Sequence, residues 1–135
     1  MVTKHFIRNL EYALTGAFID VHRALGPGLL ESVYHKCLAR ELELRTISYV
    51  SQLTIPINYK GIAIDAELRP DFIVEDCNII EIKSVETILP VHDAQLLTYM
   101  KLLEVPKGFL VNFNCTNIVH NGKKSFVNEY YRGLL

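Results

Sequence analysis

The sequence predicts an α/β fold, a sandwich of helices on a mixed β-sheet. Three observations predict it. Apolar residues recur at helical spacing from residue 3 to residue 44, the pattern changes to strand-like alternation over residues 47–83, and a further helix and apolar strand follow. Within Thr3 to Leu25, the residues Phe6, Ile7, Leu10, Ala13, Leu14, Ala17, Phe18, Val21 and Leu25 form one stripe of an amphipathic helix. Gly26-Pro27-Gly28 breaks it. A second helix is expected from about Leu30 to Leu44, with Val33, Tyr34, Cys37, Leu38 and Leu42 marking its turns. Glu31 lies in its first turn, where the helix dipole favours a carboxylate. Between residues 47 and 83 the alternating sets are Leu53, Ile55, Ile57 and Tyr59, then Ile62 and Ile64, then Phe72 and Val74, then Ile80 and Ile82. Lys60-Gly61 and Glu75-Asp76-Cys77-Asn78 separate them as turns, which predicts an antiparallel meander. Pro90, a favoured first-turn residue, opens a third helix that reaches about Glu104. Lys107 to Phe113 reads as an apolar strand, and Ile118 to Tyr130 as a final hairpin turning at Asn121-Gly122.

The 135 residues fit one compact domain, residues 1–135. Half of them are hydrophobic and 21% are charged, the balance of a folded chain. No apolar run is long enough for a membrane span, and Met1-Val2-Thr3-Lys4-His5-Phe6 lacks the features of a secretory signal. Cys37, Cys77 and Cys115 are odd in number and far apart, a pattern that suits a reducing cytoplasm and argues against a zinc site or disulfide framework. The net charge of −1 lacks the basic balance of a domain that grips nucleic acid through phosphates. Tight non-specific DNA binding by a lone monomer is therefore not expected. The apolar first helix, Thr3–Leu25, is a candidate for part of a two-fold homodimer interface.

The chemistry-bearing stretch is Arg69-Pro70-Asp71-Phe72-Ile73-Val74 followed by Ile79-Ile80-Glu81-Ile82-Lys83. Residues two apart in a strand share a side, so Glu81 and Lys83 face one way while Ile80 and Ile82 enter the core. The short turn at 75–78 brings the strand of Asp71 antiparallel beside that of Glu81. Two carboxylates and an ammonium then converge. Mg²⁺ prefers hard oxygen ligands and takes one or two protein carboxylates. Asp71 and Glu81 supply those, with the Ile82 carbonyl beside them, and Lys83 can orient a water or stabilise phosphorane charge. Gln95 and Tyr99 share a face of the third helix. Gln95 can reach the water or Lys83, and Tyr99 a phosphate oxygen. His92, one turn before Gln95, is a candidate substrate contact. On the second helix Glu31 can add a third carboxylate, directly or through water, and Tyr34 shares its face as a candidate substrate contact, its ring in the core and its hydroxyl at the rim.

These residues resemble a known set. Asp71, Glu81-x-Lys83 and Gln95-x-x-x-Tyr99 look like the motifs of the PD-(D/E)XK superfamily, especially its exonuclease branch. Gly28-Leu29-Leu30-Glu31-Ser32-Val33-Tyr34 resembles the signature of the GxxExxY family within it, and the resemblance runs from Val21-His22 to Val111-Asn112-Phe113. It departs at Gly122-Lys123-Lys124-Ser125-Phe126. The resemblance implies a central mixed sheet flanked by helices, with the acids on its middle strands, and a metal-dependent nuclease using Mg²⁺ or Mn²⁺ on nucleic acid, DNA ahead of RNA.

Other readings compete. Glu81 and Lys83 alone could be an exposed ion pair worth little energetically. Their neighbours Ile79, Ile80 and Ile82 mark a central strand, where charges need partners or a task. Glu31 could serve only the helix dipole, and Lys123 and Lys124 a solvated hairpin tip. The whole chain could be a non-catalytic binding or assembly module that keeps the nuclease fold, or an enzyme acting on a small phosphorylated molecule. The complete acid–acid–lysine–glutamine set favours the nuclease.

Overall fold

The computed structural model describes residues 1–135, the side chains of residues 65–67 excepted. The first helix, α1 (Lys4–Leu25), starts where the Thr3 hydroxyl accepts the Phe6 N–H, and ends at Gly26 with φ 69. A second, α2 (Glu31–Leu44), follows the Gly26–Leu30 loop. Their apolar stripes, including Ile7, Leu10, Leu14, Phe18 and Val21 of α1 and Tyr34, Leu38 and Leu42 of α2, are buried together against one face of a sheet. Most of the α1 stripe thus belongs to the chain's own core. Only Phe6 of the stripe and Tyr12 beside it are left exposed on α1 as large apolar side chains.

The sheet has five strands: β1 (Tyr49–Ser51), β4 (Phe72–Val74), β5 (Asn78–Lys83), β6 (Lys107–Asn112) and β7 (Lys123–Val127), in spatial order β1-β4-β5-β6-β7. Only β5 and β6 run parallel, joined across the opposite face by α3 (Pro90–Leu102). Alternation along β5 divides the core. Ile80 and Ile82 join the cluster under α1 and α2, while Ile79 packs with Leu96 and Met100 of α3. The α3 helix comes close to the sheet because residue 108 is glycine: a Cβ there would lie 2.6 Å from Met100 Sδ.

Three expectations are corrected. Residues 47–83 do not form one meander. β2 (Ile55–Tyr59) and β3 (Ile62–Leu68) make a separate two-stranded hairpin, and β1 pairs with β4 across it in sequence. Arg69-Pro70 ends β3, and proline cannot continue a ladder. Nor is there a hairpin turning at Asn121-Gly122. Ile118–Gly122 is a π-helical turn that Asn117 caps through its Oδ1, followed by β7 and a short α4 (Glu129–Arg132). Lys123 and Lys124 are not a free tip either. Lys123 Nζ donates to Thr15 Oγ1 at 3.0 Å, and Lys124 pairs with Asp93 at 2.5 Å. Among the described residues no helix is long and apolar enough to cross a membrane.

Candidate functional site

The β4–β5 turn sets the geometry. Glu75 and Asp76 both have positive φ, near 50° and 56°, and the Cys77 N–H closes the turn on the Val74 carbonyl. This is the primed geometry that matches strand twist. It pairs Phe72 with Ile80, so Asp71 lies opposite Glu81 one step beyond the ladder. Two hydrogen bonds cross there. The Asp71 N–H donates to Glu81 Oε1 at 3.2 Å, and the Ile82 N–H donates to Asp71 Oδ2 at 2.7 Å.

The Lys83 carbonyl accepts from Phe113 N–H on the β6 side. Successive peptide groups of a strand point to opposite edges, so the Ile82 carbonyl points with its own N–H toward Asp71. The Asp71 and Glu81 carboxylates therefore meet at one strand end, with the Ile82 carbonyl on the same strand edge. Glu81 is 5% exposed. Burial, and then the negative charge of Asp71, push its carboxyl up to about 8, while the Asp71 N–H and the Lys83 ammonium pull the other way. Two carboxylates on a mostly buried strand end favour a cation between them.

Asp71 and Ile82 open into a cleft of about 300 Å³ whose other lining residues are Glu31, Ser32, His35 and Gln52. Glu31 faces the cleft from the first turn of α2, and its Oε1 accepts the Ser84 N–H at 3.4 Å. It does not join Asp71 and Glu81 in a compact cluster: among the described residues no three His, Cys, Asp or Glu side chains stand close enough to hold a metal together. Tyr34 is corrected as a substrate contact. It is fully buried, stacked on Phe113 with centroids 4.6 Å apart, and its hydroxyl donates to the Gly26 carbonyl at 2.5 Å and accepts the Leu29 N–H at 3.2 Å. It fastens the loop that presents Glu31.

Lys83, Gln95, Tyr99 and His92 lie toward α3. Lys83 is half-buried on the same strand face as Glu81. The Gln95 amide donates to Tyr99 Oη at 3.4 Å, and His92 Nδ1 accepts the Leu89 N–H at 3.0 Å at the start of α3. Among the described residues no hydrogen bond links this group to the Asp71–Glu81 pair. His22 lies elsewhere, its Nε2 2.8 Å from the Cys115 carbonyl. Sequence reasoning missed Ser32, His35 and Gln52. His35 is one helical turn beyond Glu31 and could have been found by that spacing; Gln52 carries no motif.

A family model for the PD-(D/E)XK nuclease superfamily matches residues 8–125. The chain belongs to that superfamily. The five-stranded mixed sheet flanked by helices is the PD-(D/E)XK fold, with Asp71 immediately before β4 and Glu81 and Lys83 on β5. PD-(D/E)XK proteins are generally phosphodiester hydrolases acting on nucleic acid, and they usually use divalent metal ions. The chain is similar in fold to the crystal structure of SSO0001, with a TM-score of 0.53 and 22% identity over 76% of this chain. It spans 55% of that chain, about half its length. No curated protein matches it.

Proposed function

We propose that the protein is a metal-dependent nuclease of the GxxExxY type that hydrolyses phosphodiester bonds in nucleic acid, DNA ahead of RNA, with Mg²⁺ or Mn²⁺. The observation that carries this reading is the crossed pair of hydrogen bonds, Asp71 N–H to Glu81 and Ile82 N–H to Asp71, that holds the two carboxylates together at one strand end. The donor set fits such an ion: all oxygen, two carboxylates, and an open cleft beside them for water and phosphate. When bound, the ion acidifies a water and neutralises charge on the scissile phosphate. Asp71 and Glu81, with the Ile82 carbonyl, would hold it, and Glu31 would add a further carboxylate on the cleft side.

Lys83 donates to the phosphorane oxygen or the attacking water. Gln95, already donating to Tyr99, leaves the Tyr99 O–H to turn outward toward a phosphate oxygen. With its Nδ1 accepting from Leu89, a neutral His92 carries its proton on Nε2, which makes that atom a donor for substrate. The GxxExxY motif has a physical basis in the loop: Gly28 has φ 96, Tyr34 fastens the loop, and Glu31 faces the cleft.

Lys83→Ala is expected to lower kcat by about a hundredfold or more while leaving Mn²⁺ affinity nearly unchanged. Asp71→Ala and Glu81→Ala are expected to remove both metal binding and cleavage. Calorimetry alongside cleavage of a labelled oligonucleotide separates the three. A folded Lys83→Ala protein that cuts as fast as wild type overturns the assignment. The second reading, a binding or assembly module without catalysis, is favoured by the net charge of −1 and a cleft lined, among the described residues, by no Lys or Arg. It expects all three variants to lose thermal stability and no protein to cut.

A further inference from the structure

The cleft beside Asp71 has a second wall, made of Ser32, His35 and Gln52. Gln52 stands in the left-handed region with φ 53, a conformation strained for a non-glycine residue. Its N–H donates to the Asp71 carbonyl at 3.2 Å, and the same carbonyl lies 3.3 Å from His35 Nε2. The His35 ring is itself fixed, stacked on Phe72 with centroids 4.3 Å apart. Gln52 is thus pinned by its backbone to the residue that carries the site's first carboxylate. Glycine would take this φ without strain. The chain instead places there a long, uncharged amide, exposed, whose side chain makes no hydrogen bond among the described residues.

The chemistry of the two walls differs. Two carboxylates, those of Asp71 and Glu31, face the cleft together with Ile82. A hydroxyl, an imidazole and an amide line the other wall. Gln52 brings an amide with both a donor and an acceptor, which suits the edge of a nucleobase, since glutamine can pair with a base through both halves of its amide. A cleft of about 300 Å³ sits at the small end of ligand pockets and admits one nucleotide unit rather than a base pair.

We propose that Gln52 is a specificity-determining residue that hydrogen-bonds the base of an unpaired nucleotide beside the scissile phosphate. The backbone strain at residue 52 aims its amide at that base. The inference rests on the cleft being the hydrolytic site, and its test is chosen to fail separately from that reading. The probes are a short fluorescein-labelled oligodeoxyadenylate and a duplex of the same length, bound in Ca²⁺ and read by anisotropy. Cleavage of the same single strand is followed in Mn²⁺.

Gln52→Gly, which relieves the strain, is expected to keep the thermal midpoint at or above that of wild type. It should weaken single-strand binding by about tenfold, the loss of one hydrogen bond, and duplex binding by less than about twofold. KM rises and kcat at saturating substrate holds. Gln52→Asn tolerates the same φ but is one methylene shorter, and is expected to fall between the two. It reads the same outcome should the glycine variant fold poorly. Single-strand binding that stays unchanged in both variants overturns the proposal, as does an equal loss on strand and duplex. A wild-type protein that binds no oligonucleotide also overturns it. Binding that behaves as expected with no cleavage in any metal overturns the hydrolytic reading and leaves the base contact standing.

Discussion

At Glu81, burial and the Asp71 carboxylate act in the same direction, and the consequence is a pH dependence of the metal-free protein. An ordinary glutamate has a pKa near 4.5, and this one is pushed up to about 8. Below about 4.5 the carboxyl is neutral in both folded and unfolded chains and contributes nothing. Between these values the unfolded chain ionises while the folded one resists. Stability therefore falls as pH rises through this window, and the loss is complete above about 8. In EDTA, the thermal midpoint at pH 9 is expected below that at pH 5 by several degrees, a cost on the order of a few kcal/mol from this group. Glu81→Gln should flatten that slope, and Mn²⁺ should raise the midpoint most at high pH, where both carboxylates are charged. A slope unchanged by Glu81→Gln would remove the account of this residue. The convergence of Asp71 and Glu81 was legible in sequence, because a short turn and strand alternation suffice to place them opposite each other. Gln52 and His35 were not, since their approach to the Asp71 carbonyl depends on the non-local pairing of β1 with β4.

The helices were read within a few residues, since α1, α2 and α3 each carry local signals: the Thr3 cap, the Gly26-Pro27-Gly28 break and Pro90. The strands were harder. Lys60-Gly61 and the 75–78 turn are local and were correctly placed, but nothing local says that β2 and β3 leave the main sheet. Asn121-Gly122 misled for a different reason. Gly122 is needed not for a hairpin turn but for close packing, because a Cβ there would lie 2.7 Å from the Asn112 carbonyl oxygen. The same physics gives an element-scale prediction at Gly108. A Cβ there meets Met100 Sδ at 2.6 Å and Leu96 Cδ1 at 3.1 Å, both buried under α3. Gly108→Ala is expected to cost about 1–3 kcal/mol by overpacking, and to shift the helix that carries Gln95 and Tyr99. Chemical denaturation measures the cost. A variant as stable as wild type would show that α3 is free to move away from β6.

On the scale of the whole molecule, the net charge of −1 limits how the chain holds its substrate. Lys107 is paired with Glu11 at 2.7 Å and Lys124 with Asp93 at 2.5 Å, which takes two cations of the β6–β7 side out of phosphate binding. Affinity for nucleic acid should then come from the cleft and the bound ion. The logarithm of affinity is expected to fall with the logarithm of salt at a slope no steeper than about −3, the mark of few phosphate contacts. A much steeper slope, from anisotropy in Ca²⁺ across salt concentrations, would reveal a basic surface that this account lacks. The central claim, that the Asp71–Glu81 strand end is a metal-dependent phosphodiesterase site, is tested most directly by one measurement. Purified wild-type and Asp71→Ala proteins are incubated with labelled single-stranded DNA, double-stranded DNA and RNA, in Mn²⁺ and in EDTA. The account predicts cleavage of at least one substrate by wild type in Mn²⁺, abolished by EDTA and absent in the variant. Cleavage that persists in EDTA or in a folded Asp71→Ala protein, or no cleavage of any substrate by wild type, would contradict it.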